Sequence, residues 1–196
     1  MWYSNPWLTY FMFIQINFTD MNSKLHNNIV SLTHASICII CMTIGGYFVP
    51  INITLSVIYY YYDIGVHMQN DRPKLIMVYH HILSIILLVL AYMTEPLWVL
   101  RTGFFLIEFS NLPMYWAQFY LWSDTKQNHP ILPNIILLEI ASFLFIRCVW
   151  LAVFIIWYVN NIIVRSCLFF LLAGSVYWLF GLTKSYLYIR DQKQIK

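Results

Sequence analysis

The sequence predicts an all-α, polytopic membrane protein: a transmembrane helix bundle of six to seven spans. Three observations lead there. Of 196 residues, 61% are hydrophobic and 10% charged, against about half and about a quarter in a soluble domain. Mean hydropathy is +0.66. The apolar residues fall into runs of roughly 16–29, the length a helix needs to cross about 30 Å of hydrocarbon, with polar residues gathered between the runs.

Residues 2–18 are apolar but short, and Pro6 interrupts them. They make either a short first span or an interfacial hairpin. With the polar stretch that follows (Asp20, Asn22, Lys24, His26, Asn27, Asn28) they form an N-terminal segment, 1–28, ahead of a bundle over 29–188. Residues 1–5 carry no basic charge, so a cleaved signal peptide is not expected. A span over 29–49 ends at Gly45-Gly46 and Pro50, residues that stop helices. The next, 51–66, carries four tyrosines at 59–62 and then Asp63. Asp71-Arg72-Pro73-Lys74 is a charged turn, and the helix over 74–92 holds His80 and His81 before Glu95-Pro96 ends it. Residues 97–122 include Pro113, 123–130 are polar, and 131–159 and 162–188 complete the bundle. Residues 189–196 form a basic tail.

Seven spans place Lys24, Arg72, Lys74, Lys126, Arg190, Lys193 and Lys196 on one side and Arg165 on the other. That asymmetry makes the first side, with the C-terminus, cytosolic. A net charge of +3 spread over loop ends argues against a nucleic-acid partner. The four cysteines fall in apolar runs, and no disulfides are expected.

Polar side chains inside a span normally face the bundle interior or a wet cavity, and are functional candidates by default. Adjacent helix positions point about 100° apart, so one histidine of the pair can face a cavity while the other bonds a neighbouring helix. Ser84 lies one turn from His80. Counted from the cytosolic ends at about 1.5 Å per residue, Asp63, His80 and His34 lie about 5–10 Å in, Glu139 about 12 Å, Asn111 about 16 Å, and Glu108 and Arg147 about 20–24 Å. A polar chamber opening toward the cytosol accounts for this shared depth. Arg147 is too deep to reach the interface and needs a counter-charge, for which Glu108 is at matching depth. Glu108, Asn111 and Tyr115 form an i, i+3, i+7 stripe, as Ser31, His34 and Cys38 do earlier. His34, Cys38 and Cys41 lack a fourth ligand, so no metal site is expected. A b-type haem on His34 and His80 or His81 is the weaker use of those rings, and Lys184 lies too near a helix end to suggest a retinal site.

The order Ser31-x-x-His34, Tyr62-Asp63, His80-His81 and Glu108-x-Ser110-x-x-Pro113 resembles the TLC-domain family, which includes the ceramide synthases, the translocating-chain-associating membrane proteins and several small members. The resemblance covers residues 29–188. It implies a helix bundle around a cavity in the endoplasmic reticulum or another intracellular membrane. In the synthases the paired histidines serve acyl transfer from acyl-CoA to a sphingoid amine. His80 and His81 would carry that role here, with Asp63 and His34 beside them. The paired aspartates that follow the histidines in the synthases have no counterpart, since no Asp lies between His81 and Asp124. The pattern is nearer the small members, so ceramide is not the expected product.

Two functions follow. One is acyl transfer from acyl-CoA, as co-substrate rather than bound cofactor, to a lipid amine or hydroxyl. Ser31, Ser84, Glu108 and Asn111 would then contact substrate, and Arg72 and Lys74 would meet CoA phosphates. The other is a non-catalytic protein that senses lipids, regulates membrane composition or handles cargo. Membrane lipids are partners in both, and a homo-oligomer is compatible with either. A tag after Lys196 is expected to react from the cytosol in selectively permeabilised cells. The sequon Asn17-Phe18-Thr19 is expected to carry no glycan, and a glycan there would overturn the seven-span topology.

Overall fold

The computed structural model describes residues 23–68, 75–122 and 130–194. The segment 2–18, Arg72 and Lys74 lie outside them. The described residues form α1 Ser23–Ile44, α2 Phe48–Met68, α3 Leu75–Thr94, α4 Leu97–Trp122, α5 Leu132–Ser142, a π-helix Phe143–Trp150, α6 Leu151–Tyr158 and α7 Ile162–Gln194. The π-helix continues α5 into α6, so six long helices result. They pack as a closed ring in the order α3, α2, α1, α4, α5–π–α6, α7 and back to α3.

Four of the six are long and apolar enough to cross a membrane by composition. The other two, α2 and α4, are of spanning length at 21 and 26 residues. Their mean hydropathy is lowered by Asn52, Ser56, Asp63, Glu108 and Ser110, and all five are buried inside the bundle. The outward faces are apolar, with Phe145, Trp157, Phe170 and Phe180 among the exposed side chains. This is the inverse of a soluble helix, and it is what lipid as solvent demands.

Three boundaries differ from expectation. α1 begins at Ser23, so Lys24, His26, Asn27 and Asn28 form its first turns rather than a loop. They can be helical because the bundle gives them partners: Asn28 Nδ2 donates to the Tyr115 carbonyl of α4 at 2.9 Å. α2 begins at Phe48, with Pro50 in the first turn, where its missing N–H leaves no helical bond unmade. α7 runs past Tyr188 to Gln194, so the tail expected beyond the bundle continues its last helix.

The turns at the end bearing Glu95 are held by charged side chains on backbone groups. Arg101 of α4 donates from Nε to the Met42 carbonyl at 2.9 Å and from Nη2 to the Thr43 carbonyl at 3.0 Å. These are last-turn carbonyls of α1, which lack helical partners and carry the negative end of the dipole. Glu95 accepts the N–H groups of Asn160 and Asn161, at 3.3 and 2.6 Å, just ahead of α7. Asn161 caps that helix through Oδ1, accepting from Ile163 and Val164. The guanidinium of Arg165 donates to the Val159 carbonyl.

Gly45 and Gly46 leave α1 at positive φ, 77° and 58°. A Cβ on Gly45 would stand 2.5 Å from the Arg101 guanidinium carbon, whereas one on Gly46 meets nothing within 4 Å. Gly46→Ala is expected to cost about 1–2 kcal/mol of backbone strain. Gly45→Ala adds displacement of the Arg101 cap, for a total of about 2–4 kcal/mol. Thermal unfolding of the two variants in detergent measures the difference.

Candidate functional site

The ring of helices encloses a cavity of about 1090 Å³. It runs along α3 from Ile76 to Glu95, about 28 Å at the helical rise, so it occupies most of the depth of the bundle. Its two halves differ in chemistry. Near the histidines the wall carries Asn28, Asp63, His80, His81, Glu108, Asn111, Glu139 and Arg147. Toward Glu95 it carries Leu87, Leu88, Val99, Leu100, Phe104, Leu151, Phe154 and Leu168. A cavity polar at one end and apolar at the other matches an amphipathic ligand lying along the bundle.

Asp63 on α2 and His81 on α3 meet on this wall, with Nε2 2.6 Å from Oδ2. Packing of α2 on α3 sets the contact. Tyr60, one turn before Asp63, stacks on the His81 ring with centroids 5.3 Å apart. Its hydroxyl donates to Glu108 Oε1 at 3.2 Å, which joins α2 to α4. His80 behaves differently, as a neighbouring helix position should. Its ring lies edge-on to His81 at 5.3 Å and edge-on to Trp178 of α7 at 5.1 Å. Its ring nitrogens make no hydrogen bond among the described residues. One histidine is held by a carboxylate, and the other faces the cavity beside it.

Of the residues singled out in the sequence, His80, His81, Asp63, Ser31, Ser84, Glu108 and Asn111 all line the cavity. His34 does not; it lies one layer behind. Its ring stacks on Tyr59 at 3.9 Å, and Tyr59 forms the wall, donating to Ser31 Oγ at 2.8 Å. Ser56 donates to the Asn52 carbonyl, so His34 Nε2 donates to Ser56 Oγ at 3.1 Å. His34 therefore supports a wall tyrosine and is separated from the cavity by it. Ser84 donates to the carbonyl of His80, and Ser31 to that of Asn27, so both hydroxyl protons are already committed.

The expected direct pairing of Glu108 with Arg147 is replaced by a relay. Arg147 Nη2 donates to Asn111 Oδ1 at 3.0 Å and to the Ile107 carbonyl at 2.8 Å. Asn111 Nδ2 donates in turn to Glu108 Oε2 at 3.4 Å. Asn111 is one turn from Glu108 and closer to Arg147, so its amide, with a donor and an acceptor, takes the position between the charges. The guanidinium also lies 4.7 Å from the Phe143 ring centroid.

Sequence reasoning placed Arg147 and Glu139 in the polar chamber by depth without giving either a role in catalysis or binding, and did not single out Tyr60 or Trp178. Tyr60 and Trp178 sit in aromatic runs that are ordinary in membrane proteins. Arg147 and Glu139 are eight apart, which in an α-helix turns them about 80° from each other. The π-helix brings them onto one line along the wall.

Fold and site together define a helical membrane protein with an amphipathic cavity between its helices and a carboxylate-held histidine on the cavity wall. The chain belongs to the TLC-domain family, whose model matches residues 1–188. No curated protein and no solved structure matches it.

Asn111→Ala removes an acceptor from the buried Arg147 and a donor from Glu108. The expected cost is about 1–3 kcal/mol for each group left unsatisfied, read as a lower melting temperature. Asn111→Gln, with the same amide on a longer stem, should recover part of it.

Proposed function

We propose that the protein acts on membrane lipids inside this cavity, transferring an acyl chain from acyl-CoA to a lipid amine or hydroxyl. The observation that carries the reading is His80 open to the cavity beside an Asp63–His81 contact, at the junction of polar and apolar halves. With the histidine end toward the cytosol, the CoA nucleotide stays in water and the acyl chain extends toward Glu95. From His81 to Glu95 is about 21 Å of helix, the length of an extended chain of about 16–17 carbons. The carboxyl of Glu95, held on the N–H groups of Asn160 and Asn161, closes that end.

In this reading His80 takes the proton of the acceptor amine or hydroxyl as it attacks the thioester carbonyl. The C–S bond breaks, an amide or ester C–N or C–O bond forms, and the leaving thiolate recovers the proton from the imidazolium. His81 and Asp63 stabilise positive charge on the neighbouring ring, as a carboxylate behind a histidine does in hydrolases. The family and this acyl-CoA geometry support an endoplasmic reticulum location with the C-terminus in the cytosol.

The test is release of CoA and formation of acylated lipid by the purified protein in nanodiscs of mixed lipids. His80→Ala is expected to lower the rate about 10²–10⁴-fold with the fold intact. Asp63→Asn should lower it less, because it removes support rather than the base. A loss below about tenfold in His80→Ala, or no turnover by the native protein, would favour a lipid-sensing or cargo-handling role instead.

A further inference from the structure

The wall made by α5, the π-helix and α6 has an unusual period. Ile135, Glu139, Phe143, Arg147, Leu151, Ile155 and Val159 are all buried, one at every fourth residue. Four α-helical residues turn through about 400°, so such a stripe drifts about 40° per step and soon leaves the interior. A π-helix has about 4.4 residues per turn, so the same step turns about 330° and drifts the other way. The π-helix, Phe143–Trp150, therefore reverses the drift where Arg147 would otherwise turn off the cavity face.

Two opposite charges are thereby set on one wall. Glu139 is 3% exposed and lines the cavity, and its carboxylate has no hydrogen bond or ion pair among the described residues. Arg147 is 5% exposed and lines it too. Its Nη2 bonds Ile107 and Asn111, while its Nε is buried with no acceptor among the described residues. Arg147 meets the Glu108 charge only through Asn111 and keeps Nε unpaired, while Glu139 has no charged partner among the described residues, and a buried charge is stable only when paired and hydrogen-bonded. The two make no ion pair with each other: the Arg147 guanidinium is held on Ile107 and Asn111, on a residue about 11 Å along the axis from Glu139.

We propose that Glu139 and Arg147 bind the headgroup of a single-chain lipid carrying both an ammonium group and a phosphate. The ammonium meets Glu139 and the phosphate meets Arg147. About 5 Å between those charges, plus about 3 Å of contact at each end, fills the separation. The order also fits: Glu139 is nearer the histidine end, Arg147 is deeper, and Leu151 and Phe154 continue the wall beyond. A fatty acid matches Arg147 and leaves Glu139 unpaired, and a long-chain amine does the reverse. The proposal deepens the lipid reading above by naming the headgroup, and it rests on the cavity holding lipid rather than on catalysis.

The test uses the full chain in maltoside micelles and four probes with one sixteen-carbon chain: lysophosphatidylethanolamine, lysophosphatidic acid, hexadecylamine and hexadecanol. Binding is read by native mass spectrometry. The native protein is expected to hold the zwitterion at least about tenfold more tightly than any other probe. Glu139→Gln should bring the zwitterion to within about threefold of lysophosphatidic acid, leave lysophosphatidic acid unchanged, and raise the melting temperature of the empty protein by removing an unpaired buried charge. Arg147→Lys, which keeps charge but lacks Nε, should weaken both phosphate-bearing probes and spare hexadecylamine. Equal binding of all four probes, or a Glu139→Gln variant that weakens all four alike, overturns the proposal. Acyl transfer measured on the same preparation separates the two readings. Zwitterion selectivity without transfer supports this site and removes the enzyme, and transfer without charge selectivity overturns the site alone.

Discussion

Hydrocarbon offers a polar side chain nothing to bond, and that constraint organises the whole bundle. The helices carry buried Asp63, Glu108, Glu139, Arg147, His34 and His81 at bilayer depth. Each would destabilise a lone helix in lipid, and a closed ring removes that penalty by turning all of them inward. Hydrophobic attraction between helices is weak in a membrane, so polar contacts between helices add to the packing of the apolar core. Asn28 joins α1 to α4, Tyr60 joins α2 to α4, and Arg147 joins the π-helix to α4. α4 is the helix to which these three are tied.

The same constraint explains what could be read from the chain. Helix number and class follow from apolar runs cut by charged or Pro-containing turns, because a bilayer admits few alternatives to a helix there. That Asp63, His80, His81, Glu108 and Asn111 share one cavity follows from shared depth. The lateral direction of a side chain is less legible, because it depends on where each neighbour packs. Ser31 and His34 are three apart and about 60° apart around α1, which is enough to put one on the cavity and the other behind Tyr59. Asn111 standing between Glu108 and Arg147 is likewise a matter of lateral packing, which depth does not report. The start of α1 was obscured for a related reason: its first turns are polar in sequence and gain their partners only across the bundle.

The two ends of the bundle are built on different principles. At the Glu95 end, charged side chains are bonded to backbone at helix termini, which fixes the corners of α1, α4 and α7. At the histidine end, charged and aromatic side chains meet one another and the cavity.

The π-helix has one more consequence. Its eight residues turn about 140° less than eight α-helical residues would, so α5 and α6 are out of phase with each other by more than one residue's rotation. Loss of a single residue within Phe143–Trp150 would let much of the ladder close as α and would bring the two about 100° nearer to phase. Everything on α5 would then rotate against the rest of the bundle, taking Glu139 from the cavity toward lipid. Substitutions along this helix act where they fall; a one-residue deletion would act at a distance, on side chains it does not touch.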